Sequence, residues 1–120
     1  MKRYKFPTED KNFFINYNTG PYNERHCHNY WEFSIITSGK VLHKINDLER
    51  LVDENTLLVI RPDDAHTLHR ATDKEIALIN IGVKECALKD ILHLLSDGLY
   101  ESLLKGDYHE FEISKSTTVY

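Results

Sequence analysis

A chain of 120 residues is long enough for one domain with a single modest core, and its 41% hydrophobic and 28% charged residues are those of an ordinary globular protein. The formal net charge is -4, with eight Lys/Arg against six Asp/Glu in residues 1–50 and seven against thirteen in residues 51–120. No basic stripe is present, so these residues do not look like a surface that grips phosphates, and no apolar run approaches the ~20 residues that span a bilayer. Two distant cysteines, Cys27 and Cys86, make no disulfide framework and fit a reducing, cytoplasmic setting.

The first eleven residues mix Lys2, Arg3, Lys5 and Lys11 with Glu9 and Asp10 and have no apolar stretch behind the charges. They read as a flexible N-terminal arm rather than a leader. Short β-rich runs follow in order, each closed by turn residues: Phe13 to Tyr17, Tyr30 to Thr37, Val41 to Ile45, Glu49 to Val52, Thr56 to Ile60, Thr67 to Arg70 and Ile76 to Val83. About seven short strands at roughly ten-residue spacing predict an all-β sandwich or barrel over residues 12–83. Beyond Val83 the period changes. Leu88, Ile91, Leu92 and Leu95 recur at helical spacing up to Gly98, and Leu99, Tyr100, Leu103 and Leu104 make a second short helix before Gly106. Tyr108 to Ile113 reads extended again. The closing Ser114-Lys115-Ser116-Thr117-Thr118 cluster reads as the start of a further helix, so residues 84–120 are taken as trailing helices plus that start.

The segment Gly20-Pro21-Tyr22-Asn23-Glu24-Arg25-His26-Cys27-His28-Asn29-Tyr30-Trp31-Glu32 carries the chemistry. Alternate residues of a strand share a face, so an unbroken strand places His26, His28 and Glu32 together and sends Trp31, Phe33 and Ile35 to the other side. Both sides then want burial, one lining an interior and one packing on a neighbour. Two imidazoles and a carboxylate suit a first-row divalent ion such as Zn, Ni, Fe or Mn, with His66 as a fourth ligand. The same set also serves as a hydrogen-bonded polar floor with no metal at all. His43, His69, His93 and His109 read as surface or internally satisfied histidines, and the parity argument makes Trp31 a packing residue.

The spacing Gly20, His26, His28, Glu32, Gly39 resembles the first cupin motif at every fixed position. The second motif is partial: Pro62 and His66 are in place, while Thr56, the Asp63-Asp64 pair and Arg70 stand where that motif carries other residues. The fold implied is mainly β, a single cupin (double-stranded β-helix or jelly-roll) barrel followed by two short C-terminal helices. Within the cupins the chain is similar to the effector-binding domain of AraC-type (AraC/XylS) transcription regulators, on the His-x-His-x-x-x-Glu opening, Ile36-Thr37-Ser38-Gly39, and Leu58-Val59-Ile60-Arg61-Pro62-Asp63-Asp64-Ala65-His66. That resemblance covers roughly residues 12–113. It implies a non-enzymatic sensor that binds a small-molecule effector, a carbohydrate in many such regulators, through His26, His28, Glu32 and His66 and needs no cofactor. It also implies pairing of two copies through a helix after the barrel, which would begin about Ser116, DNA contact through a C-terminal helix-turn-helix domain that is not in these 120 residues, and no membrane partner. The rival expectation is a stand-alone metal-dependent cupin enzyme, a dioxygenase or isomerase, with the same four residues as ligands.

Overall fold

The computed structural model describes residues 1–20 and 22–113. The Ser114 cluster expected to open a further helix therefore lies outside the described residues. Ten strands and two helices follow in the order β1 (Lys2–Tyr4), β2 (Phe13–Thr19), β3 (Tyr22–His28), β4 (Trp31–Ser38), β5 (Val41–Ile45), β6 (Leu48–Val52), β7 (Thr56–Ile60), β8 (His66–Arg70), β9 (Ala77–Val83), α1 (Glu85–Leu95), α2 (Leu99–Leu104) and β10 (His109–Glu112). They form two five-stranded sheets, β1-β3-β8-β5-β6 and β10-β7-β4-β9-β2. Consecutive strands change sheet at several points, giving a mainly β, jelly-roll-like cupin fold with its helices at the C-terminal side.

Alternation sorts the side chains of the second sheet. Ile36, Leu58, Ile60 and Leu78 face the other sheet and meet Val41, Ile45, Val52 and Leu68 in the main core, all essentially without solvent exposure. On the outer face of the second sheet, Trp31 and Val59 pack under Leu88 of α1 and Tyr100 of α2. This strand pair is thus buried on both faces, as the sequence pattern predicts. The predicted α1 stripe is used only in part: Leu88 is buried and Leu92 packs on the second cluster, but Ile91 and Leu95 are exposed along with Leu94. No helix among the described residues is long and apolar enough to cross a membrane.

Two findings extend the sequence reading. Residues expected as a flexible arm include β1, which pairs parallel with β3 and sets Lys2 beside His26 and Tyr4 beside His28. The arm is fastened further where the Asn29 amide donates to the Tyr4 carbonyl, where Asn29 Oδ1 accepts from the Phe6 amide, and where Arg3 meets Asp63. After the helices, β10 returns to pair antiparallel with β7, so strands on either side of residues 12–83 complete the sheets.

The unbroken strand expected from His26 to Glu32 is corrected. The chain bends at Asn29-Tyr30, leaving His26 and His28 on β3 in one sheet and Glu32 on β4 in the other. The two sheets face each other, so the side chains still converge across the gap.

Candidate functional site

Three strands supply the centre of the site. His26 and His66 are direct partners in the β3–β8 ladder, His28 lies one alternation further along β3, and Glu32 reaches in from β4. One imidazole nitrogen from each of His26, His28 and His66 lies within 4.8 Å of the others. His28 Nε2 is 3.2 Å from one Glu32 carboxylate oxygen, and His66 Nε2 is 3.9 Å from the other. All four residues predicted from the sequence are therefore in one place, although from three strands and two sheets rather than from one strand and a turn.

They form the floor of a cavity of about 450 Å³. Its walls are polar: Asn16 and Asn18 on β2, Asn80 on β9, Asn23 and Glu24 on β3, and the phenols of Tyr4, Tyr22 and Tyr30, with Leu68 as the one aliphatic side chain among the described lining residues. No lysine or arginine is among those lining residues. Tyr30 tilts against His28 at a ring-centroid distance of 4.8 Å, whereas Trp31 points to the opposite face, under the helices. Ser34 on β4 donates to Asn80 at 2.5 Å and lies 3.3 Å from Glu32, so it orients two wall groups at once.

Burial dominates the electrostatics. Loss of water pushes the Glu32 carboxyl up to about 7, only partly offset by the Ser34 hydroxyl. The same loss pulls His28 down to about 4, helped by neighbouring His26, and drives His66 well below the usual imidazole range, with His43, His26 and His28 adding to the effect. The His28–Glu32 contact is therefore better described as two groups held near neutrality than as an ion pair. Titratable groups shifted by burial, gathered at the floor of a polar cavity, have the character of a binding site.

The donor set fits a metal as well. His26 Nδ1 is 2.8 Å from the Glu24 carbonyl, where it donates, which leaves His26 Nε2 with a lone pair. His66 Nδ1 is held by His43 Nε2 at 3.0 Å, and His66 Nε2 is buried without a hydrogen-bond partner among the described residues, as is His28 Nδ1. His26 and His66, each held through Nδ1 with Nε2 bare, have the orientation that a divalent ion requires, while His28 turns Nε2 to Glu32. The turn before β8 also keeps its shape without glycine. Asp63 adopts a left-handed φ of 69°, and Asp64 accepts from the Arg61 amide, the Arg61 guanidinium and the Asn46 amide group. Departures from the second cupin motif therefore leave the strand carrying His66 correctly placed.

The sequence reading did not identify His43, Tyr108 or Asn80 as part of the site. His43 is fully buried in β5 and bonds His66 on one side and Tyr108 on the other. Its signal was present, since it alternates with Val41 and Ile45, both of which face the core. The other scattered histidines sit apart from the cavity: His69 pairs with Thr67, His93 with Glu101, and His109 with the Lys105 carbonyl.

The family model of the AraC-like ligand binding domain matches residues 13–114. Among solved structures, the chain is similar to a cupin protein from Bacteroides fragilis at 25% identity and a TM-score of 0.57, over 62% of this chain and 68% of that one. It is also similar to apo ToxT from Vibrio cholerae strain SCE256, a point variant, at 13% identity and a TM-score of 0.65, over 88% of this chain and 44% of ToxT. A wild-type ToxT structure with a bound unsaturated fatty acid aligns at 13% identity with a TM-score of 0.62, over 91% of this chain and 44% of that one. The chain thus spans less than half the length of ToxT. No curated protein sequence matches it.

Proposed function

The chain belongs to the AraC-like ligand binding domain family, and from that premise we propose that it is the small-molecule sensing domain of an AraC-type transcription regulator whose effector is a neutral polyhydroxy molecule such as a sugar. One observation carries the choice of ligand: the cavity is walled by four asparagines, three tyrosines, three histidines and two glutamates, with no cation among them. Asparagine amides both donate to and accept from hydroxyls, carboxylates accept from them, and tyrosine faces cover the apolar side of a sugar ring. A fatty acid, the ligand named for one ToxT structure, would need an apolar channel and a partner for its carboxylate. Here the described lining residues include no lysine or arginine to pair with that charge and one aliphatic side chain, Leu68.

Signal transfer follows from Tyr4. It lines the cavity and sits on β1, the edge strand of the N-terminal arm, so a ligand touching Tyr4 changes how firmly the arm is held. An effector that binds the two arm positions unequally shifts their populations and, through them, an attached DNA-binding domain. The exposed Ile91, Leu94 and Leu95 on α1 offer a surface on which two copies of the regulator pair. The test is a calorimetric panel of neutral pentoses and hexoses beside an unsaturated fatty acid. Saturable one-to-one binding of a sugar, weakened at least tenfold in His28→Ala, supports the reading; saturable binding of the fatty acid alone contradicts it.

A second reading is favoured by the three histidine nitrogens within 4.8 Å and the adjacent Glu32. His26, His28, Glu32 and His66 would hold a divalent ion, making the protein a metal-dependent cupin enzyme or a metal-dependent sensor. The ion would supply Lewis-acid polarisation of a ligand oxygen. Stoichiometric iron, manganese, nickel or zinc in protein purified without chelators, lost in His28→Ala, supports this second reading, and metal-free protein that still binds a sugar supports the first.

A further inference from the structure

A chain of hydrogen bonds leads from the cavity floor to the protein surface through groups outside the cavity wall. His66 Nδ1 is 3.0 Å from His43 Nε2, His43 Nδ1 is 3.1 Å from the Tyr108 hydroxyl, and that hydroxyl donates to Glu110 at 3.1 Å. The other oxygen of Glu110 takes a 2.5 Å hydrogen bond from Arg50. The members come from both sheets, with His66 and His43 on β8 and β5, Arg50 on β6, and Tyr108 and Glu110 at β10.

The end of this chain dictates its direction. A carboxylate only accepts, so the single Tyr108 hydrogen goes to Glu110 and the phenol oxygen must accept from His43. His43 therefore carries its proton on Nδ1. A fully buried ring whose two hydrogen-bond partners among the described residues are a phenol and an imidazole carries one proton, which leaves His43 Nε2 as an acceptor. His66 must then donate to it from Nδ1, and His66 Nε2 is left as a bare lone pair. That atom belongs to a residue of the cavity lining, is buried 3.9 Å from a Glu32 carboxylate oxygen, and has no hydrogen-bond partner among the described residues.

We infer that Glu110 and Tyr108 are positioning residues that, through His43, lock His66 in the tautomer presenting an acceptor to the cavity, so that this point of the wall takes a ligand O–H or N–H, or a cation, and turns away a ligand acceptor. The choice of effector at this point rests on the proposed sensing role; the tautomer does not. The polarity of the site is thus written by an ion pair on the outside of the fold, two side chains away from any ligand contact. Glu110→Gln reverses it. Arg50 holds the amide oxygen of the new side chain, its NH₂ group turns to Tyr108, Tyr108 donates to His43 instead, and each proton in the chain shifts so that His66 Nε2 gains a hydrogen.

The experiment is two-bond proton–nitrogen correlation on protein labelled with nitrogen-15 histidine, stripped of metal with chelator. Wild type is expected to show His43 and His66 each as a single Nδ1–H tautomer. Glu110→Gln should show both as Nε2–H, and Tyr108→Phe, which removes the oxygen that orders the chain, a mixture. A wild-type His66 bearing its hydrogen on Nε2 overturns the proposal. So does a Glu110→Gln protein, folded by its amide spectrum, in which both tautomers stay as in wild type. Either failure leaves sugar binding in the calorimetric panel untouched, and absence of sugar binding leaves the tautomer result standing.

Discussion

Replacing Glu32 by glutamine should make this protein more stable, and increasingly so as the pH rises. Glu32 is 7% exposed, and its surroundings push its carboxyl up to about 7 from an ordinary 4.5. As pH climbs through 4.5 the unfolded chain loses this proton while the folded chain keeps it, so wild-type stability is drained until the folded group also ionises near 7. A gap of about 2.5 pKa units corresponds to a loss on the order of 3 kcal/mol. Glutamine has the same shape and no proton to lose, so the variant escapes that loss. The contributions of His28, His43 and His66 are common to both proteins and drop out of the difference. Urea unfolding of both proteins in chelator at pH 5, 6, 7 and 8 is the assay. The advantage of Glu32→Gln is expected to grow by about 2–3 kcal/mol between pH 5 and 8, with most of the rise below pH 7. A difference that is flat across that range would mean that Glu32 is ionised in the fold at no cost, and the description of the floor as a near-neutral cluster would fall. Under the proposed sensing role, that cost is what holds the carboxyl in place for a ligand.

His28 and His43 are each pulled down to about 4, so the unfolded chain takes up protons at these two positions below about pH 6.5 while the folded chain does not; Glu32→Gln protein, freed of the opposing carboxyl, should lose stability steadily from pH 6.5 towards 4 in urea melts, on the order of 3 kcal/mol per histidine. Asp64→Ala strips Arg61 of its carboxylate while the guanidinium still holds the carbonyls of Leu104, the last residue of α2, and of Gly106; a cost of about 3–5 kcal/mol is expected by the same melts, and a cost under 1 kcal/mol would show that the pair is not structural. At Gly82 an added Cβ would overlap the Phe14 ring across β2 and β9, so Gly82→Ala should cost about 1–3 kcal/mol and loosen the edge strand that carries Asn16 and Asn18, read as faster amide exchange in β2 than in β8. If the arm reports ligand binding, limited proteolysis within residues 1–12 should slow when the cavity is filled, and an unchanged rate would remove Tyr4 from the signalling path.

Much of the site was legible because period-two alternation survives a change of sheet. His26, His28 and Glu32 keep the same parity whether the chain runs straight or bends at Asn29-Tyr30, so the correct grouping came from a strand that does not exist as one piece. The bend itself was not legible, because its cause is distant: Asn29 is held by the backbone of Tyr4 and Phe6, from a strand of only three residues with no apolar pattern. Trp31 was placed correctly, since a large apolar side chain out of phase with two histidines has to pack on the far face, and the helices supply Leu88 and Tyr100 to cover it. His43 was passed over although its i±2 neighbours are core residues, because a lone histidine on an apolar face reads as satisfied until its partners are known. Those partners, His66 and Tyr108, lie 23 and 65 residues away in the chain. The apolar spacing of α1 predicted a helix correctly but overstated its contact face, since the barrel covers Leu88 and Leu92 and leaves Ile91 and Leu95 open.

In the proposed sensing role the effector sits in the polar cavity between the sheets, on the floor made by His28, Glu32 and His66. Chemical-shift mapping with the tightest-binding neutral sugar tests it most directly, using metal-free protein labelled with nitrogen-15. The largest changes should fall on the ring nitrogens of His28 and His66 and on the side-chain amides of Asn16 and Asn80, all in the cavity wall. Changes confined to the exposed outer residues Phe13, Ile15 and Tyr17, or to Leu94 and Leu95 on α1, would contradict it.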